Sequence, residues 1–227
     1  MDTPDRPSAP TFSRQALREL DQRCVEEFGI PSILLMENAA IGMCDHTLAF
    51  MREHRSMGVL ILTGAGNNGG DGLALARHLH TAGVPVQILM LREPRPGTDA
   101  GTQHDICTKM GLPISALQDP ADAAPAIRDR LSELAPSPVL VDALLGTGLD
   151  RDVTGAGDPL IAADLPSGMD ADSGKPRGAC VRAGLTCTFA GLKRGFASPE
   201  ARALTGRIQP CPIGAPPQLA QRLRDPG

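Results

Sequence analysis

The stretch Val59-Leu60-Ile61-Leu62-Thr63-Gly64-Ala65-Gly66-Asn67-Asn68-Gly69-Gly70-Asp71-Gly72-Leu73 reads as a short apolar strand, a glycine-rich turn and the start of a helix. An unbroken apolar run suits a strand buried on both faces. Leu73, Ala76, Leu79 and Ala82 then recur at helical spacing up to Gly83, and Val84 to Leu91 supplies the next strand. Strand, helix and strand make a βαβ unit, whose crossover is expected to be right-handed. Gly64 to Gly69 satisfies G-x-G-x-x-G between strand and helix. Glycines allow close backbone approach, and the N–H groups opening the helix suit a pyrophosphate. No Lys-Ser or Lys-Thr follows, which excludes a Walker A loop.

The same alternation extends outward. Ser13 can cap a helix with Leu17, Leu20, Cys24 and Phe28 on one face, stopped by Gly29. After Pro31 and Ser32 a second helix carries Leu35, Met36, Ala40, Met43, Thr47 and Met51, with Glu37 and Asn38 near its start, which are either a capped, solvated first turn or functional groups. Further helices are expected at 99–110 and 121–134, and strands at 138–144, 160–165, 185–190 and 206–213. The pattern predicts an α/β fold, a parallel sheet covered by helices on both faces, with ligands bound beyond the carboxyl ends of the strands. A single domain over 13–217 is expected between a flexible tail, 1–12, and a C-terminal tail, 218–227.

Composition removes several function classes. The 227 residues are 41% hydrophobic and 21% charged, with a formal net charge of −4, which fits one globular domain. No apolar run reaches the length of a membrane span, and Met1, Asp2, Asp5, Pro7 and Pro10 lack the pattern of a secretory signal, so a cytoplasmic protein without a membrane partner is expected. With 22 basic against 26 acidic residues, five Phe and no Tyr or Trp, the chain has neither the charge surplus nor the stacking platforms for nucleic acid. Cys24, Cys44, Cys107, Cys180, Cys187 and Cys211 contain no C-x-x-C pair, so reduced thiols are expected.

The candidate chemistry lies at the strand ends. Asn67, Asn68 and Asp71 put two amides and a carboxylate on one tight turn, where they can hold a cation or a ligand, or merely the turn itself. Val139-Leu140-Val141-Asp142 and Leu160-Ile161-Ala162-Ala163-Asp164 each end a buried strand on an acid, and a carboxylate is costly there unless something pairs with it. If these strands neighbour the glycine-rich one, Asp142, Asp164 and the Asn68 turn converge. Lys193 follows the strand 185–190 and either faces the same site or lies on the surface. His78 and His80, two apart on a helix, point away from each other and make no metal pair.

Taken together, Leu35-Met36-Glu37-Asn38, Gly66-Asn67-Asn68-Gly69-Gly70-Asp71-Gly72, Val141 to Gly148 (VDALLGTG), Asp164-Leu165-Pro166-Ser167-Gly168, Thr188-Phe189, Lys193, Gly206 and Ile213-Gly214 resemble the NAD(P)H-hydrate epimerase family, the YjeF N-terminal domain. The resemblance covers nearly all of the chain after residue 12. It implies a Rossmann-like three-layer α/β/α sandwich, often a homodimer, that interconverts the R and S epimers of hydrated NADH and NADPH. The S epimer would be consumed by a dehydratase, here expected on a separate chain. By the same resemblance, substrate binds at Asn67, Asn68, Gly69, Gly70 and Asp71, at Gly146, Thr147, Gly148, Leu149, Asp150, Arg151 and Asp152, and at Asp164. One potassium ion per subunit would lie on Asn68, Asp142 and Ser167. The chemistry of that substrate makes Asp164 the candidate acid and base and Lys193 a candidate second proton carrier.

Two departures stand out. Ala40 replaces the family's usual Gly, a small packing change. Between the strands ending near Leu145 and beginning near Leu160 the family normally inserts a helix, whereas Gly146, Gly148, Gly155, Gly157 and Pro159 make one improbable here. A thinner layer on one face of the sheet would follow, with apolar surface for a second copy to cover. Two rival readings remain: a non-catalytic nucleotide-binding or scaffold module on the same fold, and an ordinary NAD(P) oxidoreductase with Glu93 as its ribose acid.

Overall fold

The computed structural model describes residues 9–119, 122–134, 136–144 and 160–225. Seven strands form the main sheet: β2 (Val59–Thr63), β3 (Val86–Met90), β4 (Ile114–Ala116), β5 (Val139–Ala143), β6 (Leu160–Ala163), β7 (Leu185–Phe189) and β9 (Arg207–Cys211). Their order is β4-β3-β2-β5-β6-β7-β9, and every pairing is parallel. The chain leaves β2 for one edge of the sheet and returns to β5 to run towards the other. The two central strands therefore flank a topological switch point, the place where open α/β sheets bind ligands.

Alternation along the strands divides the core. Val59, Ile61, Val139, Val141, Ile161 and Leu185 pack under α1 (Arg14–Phe28), α2 (Ser32–His54), α3 (Asn67–Thr81) and α4 (Asp99–Lys109). Leu60, Leu62, Leu140, Leu160 and Ala162 face the other way, towards Ile127 of α5 (Ala123–Glu133) and the segment holding Val181 and Ala183. This is the period-two signature of a sheet buried on both faces. The second layer is the thinner one among the described residues, yet Leu60, Leu62, Leu140 and Ala162 are no more than 2% exposed. The expected bare apolar surface does not occur at these strands. The expectations for Gly146, Thr147, Gly148, Leu149, Asp150, Arg151 and Asp152, and for a helix-free crossover, lie outside the described residues.

Three expectations about the elements need correction. The glycine-rich stretch is not a turn leading to a helix at Leu73, because α3 already begins at Asn67. Tertiary contact overrides glycine's poor helix propensity here. A Cβ on Gly72 would lie 2.6 Å from the Ala143 Cβ, so glycine lets this helix sit close to β5, while one on Gly70 would meet the flexible end of Met36 on α2 and, at 3.1 Å, the Ala100 backbone of α4. The tails are not loose throughout either. β1 (Thr11–Phe12) pairs in parallel with β8 (Leu192–Lys193), and the helix Pro217–Leu223 buries Leu219 completely. Finally, Glu37 and Asn38 are not a solvated cap. Glu37 accepts from Arg77 and lies 2.9 Å from His78, while the Asn38 amide donates to the Ile213 carbonyl at 2.9 Å and ties α2 to the chain after β9.

Candidate functional site

Neighbouring strands bring the acids together. Asp142 sits on β5 between Leu62 of β2 and Ala162 of β6, and Asp164 immediately follows β6. Both therefore lie at the carboxyl edge of the sheet beside the start of α3. Asp142 is 1% exposed and accepts three hydrogen bonds: from the Ser167 N–H at 2.8 Å, the Ser167 hydroxyl at 2.7 Å and the Leu144 N–H at 3.2 Å. Burial still raises its pKa above the ordinary carboxylate range, with the bonds from Ser167 and Leu144 pulling the other way.

Asn68 is the second residue of α3. Its side chain is buried, and neither its amide oxygen nor its amide nitrogen has a partner among the described residues. Unpaired buried amides are rare and expensive, so this one calls for an occupant. Oxygens from Asn68, Asp142 and Ser167 are the hard donors a potassium ion takes. The amide of Asn68 thus fits the expected ion, whereas the Ser167 hydroxyl is already engaged as a donor to Asp142 and would offer a lone pair. The helix start itself is open: Gly66 caps α3 without a side-chain bond, and Gly66 and Asn67 are exposed, leaving N–H groups for an anion.

Asp164 is held differently. Its φ of 67° is left-handed, a strained conformation for a side-chain-bearing residue. Its carboxylate pairs with the Lys193 ammonium and accepts from the Phe189 N–H at 3.0 Å. Lys193 is 2% exposed and also donates to the Phe189 carbonyl at 3.1 Å, which rules out the surface reading of that lysine. Gly168, at φ 92°, closes the turn after Ser167 where a Cβ would strike the Ala179 carbonyl. Leu165, Met169, Phe196 and Leu204 form a small apolar cluster beneath this segment and anchor it.

A third group joins them. Asp71, on α3, is 9% exposed, and its carboxyl has no hydrogen bond among the described residues. Burial, then the nearby Asp164 and Asp21 charges, push its pKa well up, with Lys193 opposing. Asp21 of α1 escaped the sequence reading. Its signal was present, since it falls between Leu17 and Cys24 inside the apolar stripe of that helix, four residues after one and three before the other. It stays open to solvent at the mouth of the site, but the protein packed around it and then the Asp164 charge push its pKa up to about 6 against the pull of Lys193.

The model of the YjeF-related protein N-terminus matches residues 32–195. The chain belongs to that family. Among family relatives, an NAD(P)H-hydrate epimerase of Limosilactobacillus fermentum is 34% identical over 85% of this chain and 91% of its own length. One from Rhodopirellula baltica is 34% identical over 94% and 88%. A bifunctional NAD(P)H-hydrate repair enzyme Nnr of Pyrobaculum aerophilum is 35% identical over 90% of this chain, which spans 42% of that longer protein. The solved structure of yeast ynu0, YNL200c, shares the fold at a TM-score of 0.71 and 18% identity, covering 96% of this chain and 95% of that one.

The family match takes in every site residue expected from the sequence and leaves out Asp21 and the Ile213-Gly214 segment that Asn38 grips. Glu93, the acid of the oxidoreductase reading, is exposed after β3. No helix among the described residues is long and apolar enough to cross a membrane.

Proposed function

We propose that this protein is an isomerase that epimerises the R and S forms of hydrated NADH and NADPH, in repair of damaged nicotinamide nucleotides. The observation that carries the reading is the meeting of the Asn67–Asp71 helix start with Asp142 and the Asp164–Lys193 ion pair at the switch point of the sheet, in a chain one-third identical to NAD(P)H-hydrate epimerases over most of both lengths. The open start of α3 takes the pyrophosphate. Asn67, Asn68, Gly69, Gly70 and Asp71 line that approach with Asp164 beside them, and the substrate contacts that the family resemblance assigns to Gly146 to Asp152 fall outside the described residues.

The hydrate carries a hydroxyl on the ring carbon beside nitrogen. When a protein acid protonates that oxygen, the nitrogen lone pair expels it as water and an iminium ion remains. Water then returns to either face. Asp164 is the group that handles this proton, and Lys193 at its side is a second carrier and a counter-charge. Asn68, Asp142 and Ser167 would hold one potassium ion per subunit, which would supply a fixed positive field beside the reacting ring. A module that merely bound nucleotide would leave the strained Asp164–Lys193 pair without a task.

The S epimer is then the substrate of an NAD(P)H-hydrate dehydratase in the same repair sequence. A homodimer is supported by Leu34 and Ile41, exposed two turns apart on α2, with Val25 and Phe28 exposed on α1. A cytoplasmic setting accords with six unpaired thiols. The test supplies the R epimer of hydrated NADH with excess S-specific dehydratase and its nucleotide cosubstrate, in potassium or in sodium. Recovery of NADH absorbance faster than the spontaneous rate, and faster in potassium, is expected. No acceleration by folded protein would reject the epimerase, and equal rates in the two salts would reject the ion.

A further inference from the structure

The reaction needs proton carriers for two events, departure of a hydroxyl from one face of the ring and addition of water to the other, and the site described so far assigns both to the single Asp164–Lys193 ion pair. Helix α1 brings another carboxyl. Its start is fixed against the ion pair, because Phe12 pairs with Lys193 in the β1–β8 ladder and Ser13 then caps the helix by accepting from the Ala16 N–H at 3.1 Å. Leu20 and Cys24 are fully buried on the inner face of α1, and Asp21 lies between them, about two turns from the cap. Nothing on the helix neutralises it: Arg23 bridges Glu19 and Glu27, and no hydrogen bond or ion pair reaches Asp21 among the described residues. The charged and titratable groups around it are Asp164 after β6, Lys193 of β8, Asp71 of α3 and Cys24 on its own helix.

Resting on the epimerase reading, we infer that Asp21 is a second catalytic acid–base residue, working as the partner of Asp164 across the substrate ring. In one direction the Asp21 carboxyl gives its proton to the departing hydroxyl. The C–O bond breaks with its electron pair on oxygen, water leaves, and the nitrogen lone pair forms the C=N bond. Water then adds to the opposite face. Its oxygen supplies the electron pair of the new C–O bond, the C=N pair returns to nitrogen, and the released proton goes to the Asp164 carboxylate. The reverse epimerisation exchanges the two roles. Asp164 loses its proton and Asp21 regains one through water, which reaches Asp21 because that residue is open at the mouth. No electrons are gained or lost. The environment suits the task, since a carboxyl raised to about 6 still carries a useful fraction of protons near neutrality. Two carboxyls of unlike surroundings are the usual means of dividing acid from base.

The experiment compares the full-length wild type, Asp21→Asn and Asp21→Glu on the R epimer of hydrated NADH, coupled to excess S-specific dehydratase, across pH 5.5–8.5, with melting temperatures measured alongside. For Asp21→Asn, which keeps shape and removes no bond, kcat falls at least about 100-fold with KM within about threefold, the scale of a lost acid–base group. Asp21→Glu recovers a tenth or more of the wild-type kcat. The wild-type kcat declines as pH rises past the Asp21 titration, and the residual Asp21→Asn rate loses that limb. An Asp21→Asn kcat within threefold of an active wild type overturns the assignment and leaves the epimerase reading intact. So does a defect confined to KM, or one that Asp21→Glu shares in full, because either marks a binding or packing role. A folded wild type without activity overturns the epimerase reading and this inference together.

Discussion

The two halves of the site are built on opposite terms. At the switch point, α3 and β5 are shaped by proximity: glycines stand where a Cβ would hit a neighbour, and Asp142 is enclosed by three donors. Beside β6 the construction is electrostatic, with Asp164 in a left-handed conformation against the buried Lys193 ammonium, and Asp71 and Asp21 nearby without hydrogen bonds among the described residues. A binding cradle needs fixed shape and satisfied groups. Proton transfer is served by groups such as Asp71 and Asp21, whose surroundings hold them above the ordinary carboxylate range. The contrast divides the site into a holding half and a reacting half.

Asp164→Asn strikes the reacting half hardest. Asn tolerates positive φ and keeps an acceptor for Lys193, but it leaves that buried ammonium without its counter-charge, so a lowered melting temperature is expected as well. Turnover should fall about 10³-fold, equivalent to about 4 kcal/mol of barrier, with nucleotide affinity retained. An active Asp164→Asn enzyme would remove the division altogether. Gly69→Ala attacks the holding half instead. Its Cβ would run into the Gly64 carbonyl, and backbone cannot step aside as a flexible side chain can. A loss of about 3 kcal/mol in urea unfolding is expected, and a loss under about 1 kcal/mol would mean the helix start can yield.

The smallest effect concerns pH and is the sharpest separator of the halves. Asp21 has its pKa raised from 3.8 to about 6 in the folded protein. A raised acid favours folding most below its unfolded pKa, and that contribution is lost as pH rises through the folded pKa. Asp21→Asn should therefore match the wild type in melting temperature near pH 4 and exceed it above pH 7. Stability lost at high pH on this substitution would show that the Asp21 charge holds the helix in place. A substitution that slows turnover while raising the melting temperature is the mark of a residue kept for reaction rather than for packing.

Much of this was legible beforehand. Apolar strands alternating with helical repeats foretold a parallel sheet, and its strand order then brought Asp142 and Asp164 beside the Asn68 stretch. The acids could be picked out because a carboxylate ending a buried strand conflicts with its own burial. Residues 67–72 were misjudged as a turn because glycine's helix propensity is a local quantity, whereas the closeness of α3 to β5 and α2 is not. Glu37 and Asn38 could pass for solvated caps because their partners lie 40 and 175 residues away.

Local pattern thus determined which segments become strands and helices, which residues are buried, and which polar groups sit where burial is expensive, for all of these follow from periodicity over a few residues. Only the tertiary structure decided which of those groups meet. Lys193 became buried by pairing with Asp164, 29 residues away, and Asp21 entered the site because the β1–β8 ladder draws α1 across 181 residues of chain. Electrostatic neighbours are set by distance in space, and no spacing along the chain encodes that distance.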